Sequence, residues 1–401
     1  MKKFIFKIML LGAFVSLFFS CKSSTPLPSA FEQSVAEKNN IGQKKHLVLY
    51  STKTASYPAE VTTGSSAYLF LGKYSGITSW ILFRFGFRGM TRPDSAKIRA
   101  VNLTLYPSAA AGDSTAEFSA TAYLMGSLNP KWDELEMTWS TFKADYLPTP
   151  LTPAVNINPL ASDSFYFEFD ISQFIRPDST LDSSIIENGF CLRFDTEQNP
   201  ELLMRFYSCD ASNDAVKPTL TIISDFNGEI DTTKDFIGHD AFIVRSEPLP
   251  ADSSQHLYLG RGISHRSLLQ FDFTGIPENA TINRAQLRLT LDAENSFFGL
   301  EQTPEIFVFP VTNWPDIASN VSIDSSKLGY DSVINEDTLQ VELGTQIQKW
   351  TSKQESGEGL FLRLTNEGND IARMVLFSTQ ADSLLQPKLI LDYTIPPSFY
   401  D

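Results

Sequence analysis

The feature that most constrains this fold is a stretch of alternating residues that occurs twice in the chain. AYLFLGKYSGITSWILFRFGF (67–87) has a diverged copy in HLYLGRGISHRSLLQFDFTGIP (256–277). The Leu-Gly pair at 71–72 corresponds to the pair at 259–260, an offset of 188 residues. Apolar and polar residues alternate in both copies, and period-two alternation places one face of a strand against a core. Both copies are therefore predicted to be half-buried β-strands.

Further segments repeat in the same order along the chain. The matching pairs are AKIRAVNLTL (96–105) with ATINRAQLRL (280–289), Trp132 with Trp314, and GFCLRF (189–194) with GLFLRL (359–364). A kept order with slowly drifting offsets indicates a tandem duplication of a whole domain. The sequence predicts a first domain over 46–226 and a second over 233–395, divided at FNGEIDTT (226–233).

Short strands dominate both predicted domains. The best helix candidate is Thr345–Trp350, and no longer amphipathic helix is evident in the sequence. Strands that lack crossover helices must pair antiparallel. The predicted fold is therefore all-β, with two tandem antiparallel β-sandwich domains of jelly-roll type.

The N-terminal residues predict export and lipid attachment. Three lysines precede an apolar run of 12 residues at 8–19, which is too short to span a bilayer. The run ends in FFSC (18–21), which resembles the lipobox of bacterial lipoproteins with phenylalanine in place of the usual first leucine. This resemblance implies a signal peptide over 1–20, lipidation of Cys21, a flexible tether over 21–45 and a place in the cell envelope, at the outer membrane. The alternative is an ordinary signal peptide with an incidental cysteine.

The charge balance excludes two classes of partner. The chain has 32 Lys+Arg and 47 Asp+Glu, and three of the lysines lie in the predicted signal peptide, so the mature chain has a net charge of −18. Such a surface repels nucleic acid and anionic lipid headgroups. We expect no nucleic-acid partner, and membrane contact through the N-terminal lipid only.

Short segments in both copies carry a family resemblance. The second copy supplies GRGISHRSLLQFDF, ATINRAQLRLTL, EGLFLRL, LFST and QPKLILDYT, and the first supplies AKIRAVNLTLY, KWDELEMTW, GFCLRF, FYSC and KPTLTI. Their order over 47–394 resembles the DNRLRE domain, which is related to the disaggregatase-related repeat. The resemblance implies a β-sandwich of secreted and surface proteins, some of which act as carbohydrate-binding modules. The first copy has Gly86 where the second copy has Asp272. The second copy has no counterpart of the pair Thr138-Trp139 in the first.

Aromatic residues supply most of the candidate glycan-binding side chains. The candidates are Trp80, Tyr74, Arg84, Trp132, Trp139 and Trp314. The first three are predicted to form a sugar platform on an outer sheet face, unless a second layer packs over that sheet. Trp132 and Trp314 recur at matching positions, so each either stacks on a sugar or plugs one end of the core with its indole N–H bonded to backbone.

Two cysteines and two arginines have structural interpretations. An exported compartment permits a disulfide between Cys191 and Cys209, which we expect on paired strands, and the alternative is two buried free thiols. Arg193 and Arg363 recur at equivalent positions. Recurrence favours a shared structural role, such as an ion pair with a carboxylate beside the strand.

Signals for metal binding and catalysis are weak. His239, His256 and His265 lack a recognisable metal-ligand spacing, and Asp252 and Asp272 offer at most a structural Ca²⁺ site, so no cofactor is expected. Motifs for serine hydrolases, zinc proteases and nucleotide binding are absent from the sequence. We therefore expect a protein without catalytic activity.

These features predict a lipid-anchored envelope protein that binds polysaccharide. Two weak sites on one tethered chain gain effective concentration for a repetitive partner. One alternative is a structural or adhesive protein that contacts other envelope proteins, which a free edge strand or a flat apolar patch would favour. A second alternative is a polysaccharide-cleaving enzyme, which requires converging carboxylates in a cleft.

Overall fold

The structure of the chain is a computed structural model. It describes residues 42–85, 97–113, 115–126, 132–143, 146–160, 164–170, 188–194, 200–247, 253–300, 305–311, 314, 330–331, 333–335, 337–357 and 359–397. The predicted signal peptide, the lipidation site Cys21 and most of the predicted tether lie outside the described residues.

Strands make up most of the described chain. Those of the first half are β1 (Gln43–Tyr50), β2 (Lys53–Ala59), β3 (Tyr68–Tyr74), β4 (Ile77–Phe85), β5 (Lys97–Leu105), β6 (Pro107–Gly112), β7 (Phe118–Met125), β8 (Tyr146–Pro150), β9 (Val155–Ile157), β10 (Phe165–Glu168), β11 (Phe190–Phe194), β12 (Leu202–Tyr207) and β13 (Thr219–Phe226). Those of the second half are β14 (Glu229–Ser246), β15 (His256–Arg261), β16 (Ser264–Gln270), β17 (Thr281–Thr290), β18 (Ile306–Val311), β19 (Tyr330–Asp331), β20 (Val333–Asn335), β21 (Thr338–Glu342), β22 (Gly359–Leu364), β23 (Ala372–Phe377) and β24 (Lys388–Ile395).

Helical structure is short and local. The helix α1 (Gly344–Thr351) contains the segment 345–350 for which the sequence predicts a helix. Single 3₁₀ turns lie at Asp214–Val216 and Ser253–Gln255. Among the described residues, no helix combines the length and the apolar composition that crossing a bilayer requires.

The strands form two layered units around separate cores. In the first, a 12-stranded sheet curls over a core rich in phenylalanine, with its main path in the order β10-β5-β13-β14-β4-β11-β7-β8. In the second, two five-stranded sheets with the orders β1-β24-β17-β21-β20 and β19-β18-β22-β16-β2, together with the pair β15-β23, enclose a core rich in leucine. All described strand pairs are antiparallel, so the prediction of an all-β antiparallel sandwich fold is confirmed.

The two sandwiches exchange their N-terminal strands. β1 and β2 open the first copy in sequence, but they pair with β24 and β16 of the second copy. Conversely, β14 opens the second copy and pairs with β13 and β4 of the first. We call residues 43–59 the first arm and residues 229–246 the second arm. The boundary predicted at 226–233 stays a prediction. Strand pairing joins residues on its two sides, since β14 pairs with β13 and β1 pairs with β24.

A tight turn accounts for the path of the second arm. Asn227 and Gly228 connect β13 to β14 with φ of 52° and 85°. Positive φ at both central residues is typical of the type I′ turn, whose twist matches that of the flanking strands. The second arm therefore folds straight back along the last strand of the first copy and occupies the place at which the first arm would otherwise pair.

Paired positions show that the exchange is symmetric. Ser246 lies opposite Ile77, and Pro58 lies opposite His265, with the same offset of 188 residues between equivalent positions. The buried hydroxyls of Ser79 and Ser267 also repeat, since they donate to the carbonyls of Phe70 (2.8 Å) and Tyr258 (2.9 Å). The two copies thus keep equivalent register and buried hydrogen bonds.

Candidate functional site

A cleft of about 290 Å³ lies where the two arms pass each other. Residues from four segments line it, namely 58–61 and 63 from the end of β2 and the connector after it, 138–140 from a loop of the first copy, 242–246 from β14 and 262–263 from the turn before β16. The cleft therefore combines residues of both copies, and neither copy alone contains it.

The side chain of Thr63 fixes one edge of this cleft. Its hydroxyl donates to the carbonyl of Phe242 and accepts from the amide of Phe242, 3.1 Å away. Both residues are buried. This reciprocal pair holds the connector after the first arm against the second arm.

The loop of the first copy brings polar groups to the cleft. Thr138 Oγ1 donates to Glu60 Oε2 at 3.2 Å, and the hydroxyl of Ser140 lies 3.2 Å from Thr138 Oγ1. Thr141 Oγ1 accepts from the amide of Thr138 at 2.8 Å, which stabilises the turn of the loop. A carboxylate and two hydroxyls therefore converge beside Trp139.

Two arginines flank a pair of tryptophans at the cleft. The Arg245 guanidinium lies 5.1 Å from the ring centre of Trp139, and that ring lies 4.9 Å from the ring of Trp80. On the other side, the Arg193 guanidinium is 4.2 Å from Trp80 and 4.4 Å from Tyr146. Contacts between guanidinium groups and ring faces stabilise such an arrangement, and here they orient Trp139.

The predicted platform of Trp80, Tyr74 and Arg84 does not form as a unit. Trp80 is 6% exposed because the loop that carries Trp139 packs over it. This agrees with the alternative prediction, in which a second layer covers that face of the sheet. Tyr74 instead packs edge-on against Phe297 at 4.8 Å. The half-buried Trp139 is the candidate tryptophan that lines the cleft.

The two recurring tryptophans lie away from the cleft. Trp132 is buried, donates its indole N–H to the carbonyl of Asn188 at 3.0 Å and has Arg84 at 5.8 Å from its ring, which are the contacts of a plug. Trp314 is half-buried, with the Lys53 ammonium 4.8 Å from its ring centre. The structure thus brings Trp80 and Trp139 together and separates the other candidates from them.

Glu60, Thr63 and Arg245 line the cleft but were not singled out from the sequence. Glu60 and Thr63 follow the first arm, and Arg245 belongs to the second. The Asn-Gly pair at 227–228 is typical of a hairpin and could have predicted that β14 folds back on β13. This pairing brings Arg245, which lies on β14, into the first sandwich.

The recurring arginines differ in their contacts. Arg363 Nη1 lies 3.6 Å from Glu367 Oε2, which agrees with the expected ion pair beside the strand. Arg193 instead lies between aromatic rings and has no ion pair with any residue that the structure describes.

Cys191 and Cys209 are free thiols in the structure. The expectation that they lie on paired strands is wrong, because β11 pairs with β4 and β7, whereas β12 pairs with β3 and β6 and Cys209 lies beyond its end. Burial raises the pKa of both thiols well above the usual range.

A polar cluster joins the second arm to the first sandwich. Asp240, 1% exposed, accepts from the amide of Cys209 at 2.7 Å, and its own amide donates to Glu134 Oε2 at 3.2 Å. Burial raises the pKa of Asp240 to about 8 and also raises that of Glu134. His239 Nδ1 lies 3.4 Å from Glu134 Oε2.

The histidines and acids of interest do not assemble a metal centre in the described part of the chain, which contains no group of three or more suitably placed ligands. His239 and His256 each contact a carboxylate, and His265 is buried. Asp272 accepts from the amide of Thr274 at 2.9 Å, and Asp252 lies outside the described residues.

Comparisons with known proteins give no family assignment. No protein-family model matches the chain, and no curated protein is significantly similar to it. Among solved structures, a chain titled BspA_C_mut is similar at 8% identity and a TM-score of 0.16, with a match over 84% of this chain and 97% of that chain.

Proposed function

We propose that this chain is a lipid-anchored, non-catalytic protein of the bacterial cell envelope that binds polysaccharide in the cleft between its sandwiches. The observation that carries the proposal is the position of Trp139 beside Glu60, Thr138, Ser140 and Arg245 in one cleft.

The chemistry of this cleft suits a sugar. The apolar face of a pyranose ring packs on an aromatic ring such as Trp139, while hydroxyls and a carboxylate can exchange hydrogen bonds with the hydroxyls of the sugar. The backing residues Phe242, Ile243 and Val244 are buried and apolar. A mostly apolar cleft with a few convergent polar groups is the usual form of a small-ligand site.

The anchor is the second part of the proposal. Lipidation of Cys21 would place the sandwiches at the end of a tether in the outer membrane, since the lipobox-like FFSC at 18–21 precedes a polar, proline-containing segment. A pair of DNRLRE-like domains presented in this way would meet an extracellular or envelope glycan.

The test is affinity electrophoresis of the chain from residue 22 onward, through native gels that contain one polysaccharide each. We expect one polysaccharide to retard the protein, and the variant Trp139→Ala to migrate as in a plain gel. Trp314→Ala, which removes a half-buried tryptophan outside the cleft, is the matched control and should remain retarded. Retardation by none of the polysaccharides, or equal retardation of Trp139→Ala, would contradict the proposal.

A second candidate function is protein contact, which the edge strand β1 favours. β1 lies at one end of its sheet, and the side chains of Val48 and Tyr50 on it are 37% and 47% exposed. An edge strand with exposed apolar residues can pair with a strand of another protein. Loss of a pull-down partner on substitution of Val48 by Lys would support this role.

A further inference from the structure

A second cavity, of about 360 Å³, lies on the second sandwich against the first arm. Its wall consists of Thr54, Ala55 and Ser56 of β2, Ser254, the residues His256, Leu257 and Tyr258 of β15, and Thr379 and Gln380 from the loop after β23. It shares no lining residue with the cleft at Trp139.

A carboxylate lies beside the imidazole of His256, which lines this cavity. His256 Nε2 lies 3.1 Å from Asp292 Oδ2, and the side chains are only 11% and 12% exposed. Asp292 Oδ2 in turn accepts from Asn295 Nδ2 at 2.7 Å, and the ring of Phe377 lies 5.4 Å from the imidazole. The carboxylate lies beside Nε2, so Nδ1 is the ring nitrogen that is left for a ligand.

Nδ1 of His256 has no hydrogen-bond partner among the residues that the structure describes, and His256 is one of the residues that line the cavity. Around it lie hydroxyls and an amide. Thr54 Oγ1 and Thr379 Oγ1 are 3.0 Å apart, and Gln380 lies beside Thr379.

The charges select the class of ligand. The wall contains no Lys, Arg, Asp or Glu among the residues that the structure describes, and Asp292 lies directly behind the imidazole. A site without a cation and with a carboxylate nearby disfavours anions. Hydroxyls and an amide group both donate and accept hydrogen bonds, and the imidazole nitrogen does one or the other according to its tautomer, which suits a neutral molecule with several hydroxyls.

We infer that this cavity binds one neutral sugar unit, with Nδ1 of His256 bonded to a sugar hydroxyl and Asp292 as the residue that positions the imidazole. The volume lies in the range of small-molecule sites. Because Thr54 and Ser56 belong to the first arm, the site is complete only when that arm is docked on the second sandwich. The inference is independent of the function proposed for the cleft.

The experiment is saturation-transfer NMR on the chain from residue 22 onward, with the methyl glycosides of glucose, galactose, mannose and xylose tested one at a time. Methyl glucuronide is the charged comparison. We expect one neutral glycoside to give saturation transfer that His256→Phe abolishes. Thr379→Val, which keeps the side-chain shape, should weaken binding about tenfold, as expected for one lost hydrogen bond.

Every sample, including the otherwise unaltered chain, carries Trp139→Ala, so that binding in the cleft does not contribute to the glycoside signals. A thermal melt of each variant establishes that it is folded. The inference is overturned if no neutral glycoside gives a signal, if His256→Phe and Thr379→Val bind as the unaltered chain does, or if methyl glucuronide binds as tightly as the neutral glycoside.

Discussion

Thr63 and Phe242 stand 179 residues apart in sequence and are joined by two hydrogen bonds, one in each direction between the threonine hydroxyl and the phenylalanine backbone. They connect the segment after the first arm to the second arm. Since each arm pairs with the sandwich of the other copy, this contact lies where the two exchanged segments meet. The cleft at Trp139 is built around it.

Thr63→Val should lower the free energy of unfolding by roughly 1–3 kcal/mol, because valine keeps the shape and leaves the buried backbone groups of Phe242 without the hydroxyl. Chemical denaturation measures the change. Thr233→Val on the exposed part of the second arm is the control, since the Thr233 hydroxyl contacts Asp231 at the surface, 3.4 Å away. Equal stability of Thr63→Val and the unaltered chain would show that the contact does not join the arms.

The turn that directs the second arm gives a second prediction. Gly228 has φ of 85°, and a Cβ added there would meet nothing within 4 Å, so the effect of alanine is conformational. Gly228→Ala should destabilise the fold by about 1 kcal/mol, since the left-handed region is unfavourable for a residue with a Cβ.

Gly275 is the matched control for this turn. A Cβ there also meets nothing within 4 Å, but its φ does not lie in the left-handed region. Gly275→Ala should therefore be neutral in the same denaturation experiment. If the two variants were equally stable, the positive φ of Gly228 would not determine the path of the second arm.

The sequence predicts the strands better than their partners, and the arms show why. The apolar run Ala241–Val244 identifies a buried strand, and all four of its residues are buried. Such a run does not identify which sandwich covers the strand. The two copies have equivalent register, and the hairpin at Asn227-Gly228, which the sequence contains, directs the second arm onto the first copy.

The candidate site was only partly predictable for a related reason. Trp80 and Trp139 were both identified from sequence, and the structure packs them together with ring centres 4.9 Å apart. Which of them lines the cleft depends on the loop that packs over Trp80. Glu60 and Arg245 join Trp139 only through the exchange of arms, which a local sequence pattern does not encode.

The cysteines provide a third prediction. Alkylation of the chain from residue 22 onward with iodoacetamide, in denaturant and without reductant, should add two groups, one each on Cys191 and Cys209. The two thiols are free and do not lie on neighbouring strands. In the folded protein near neutral pH, alkylation should be slow, because burial raises the pKa of both thiols and the thiolate is the reactive form. An unalkylated mass in denaturant would demonstrate a disulfide.

Asp240 gives a prediction for the pH dependence of stability. Desolvation raises its pKa from about 3.8 in the unfolded chain to about 8 in the folded protein. Between these values the folded state retains a proton that the unfolded state releases, so this group makes stability fall as pH rises from about 4 to 8, with no further change above that range. The neighbours that face it are Cys209, Asp210 and Glu134.

Asp240→Asn should remove this dependence, since the amide oxygen can still accept from the Cys209 amide, 2.7 Å from the carboxylate. We expect the variant to match the unaltered chain at pH 4 and to exceed it by roughly 1–3 kcal/mol at pH 8, the usual cost of a buried polar group without compensation. Thermal melts across this range measure the difference. Asp210→Asn, which alters an exposed neighbour, should shift the curve little at any pH. A difference in stability between Asp240→Asn and the unaltered chain that stays constant from pH 4 to 8 would contradict this prediction. It would mean that Asp240 is already ionised in the folded protein, so that the cluster holds the second arm through a charged carboxylate.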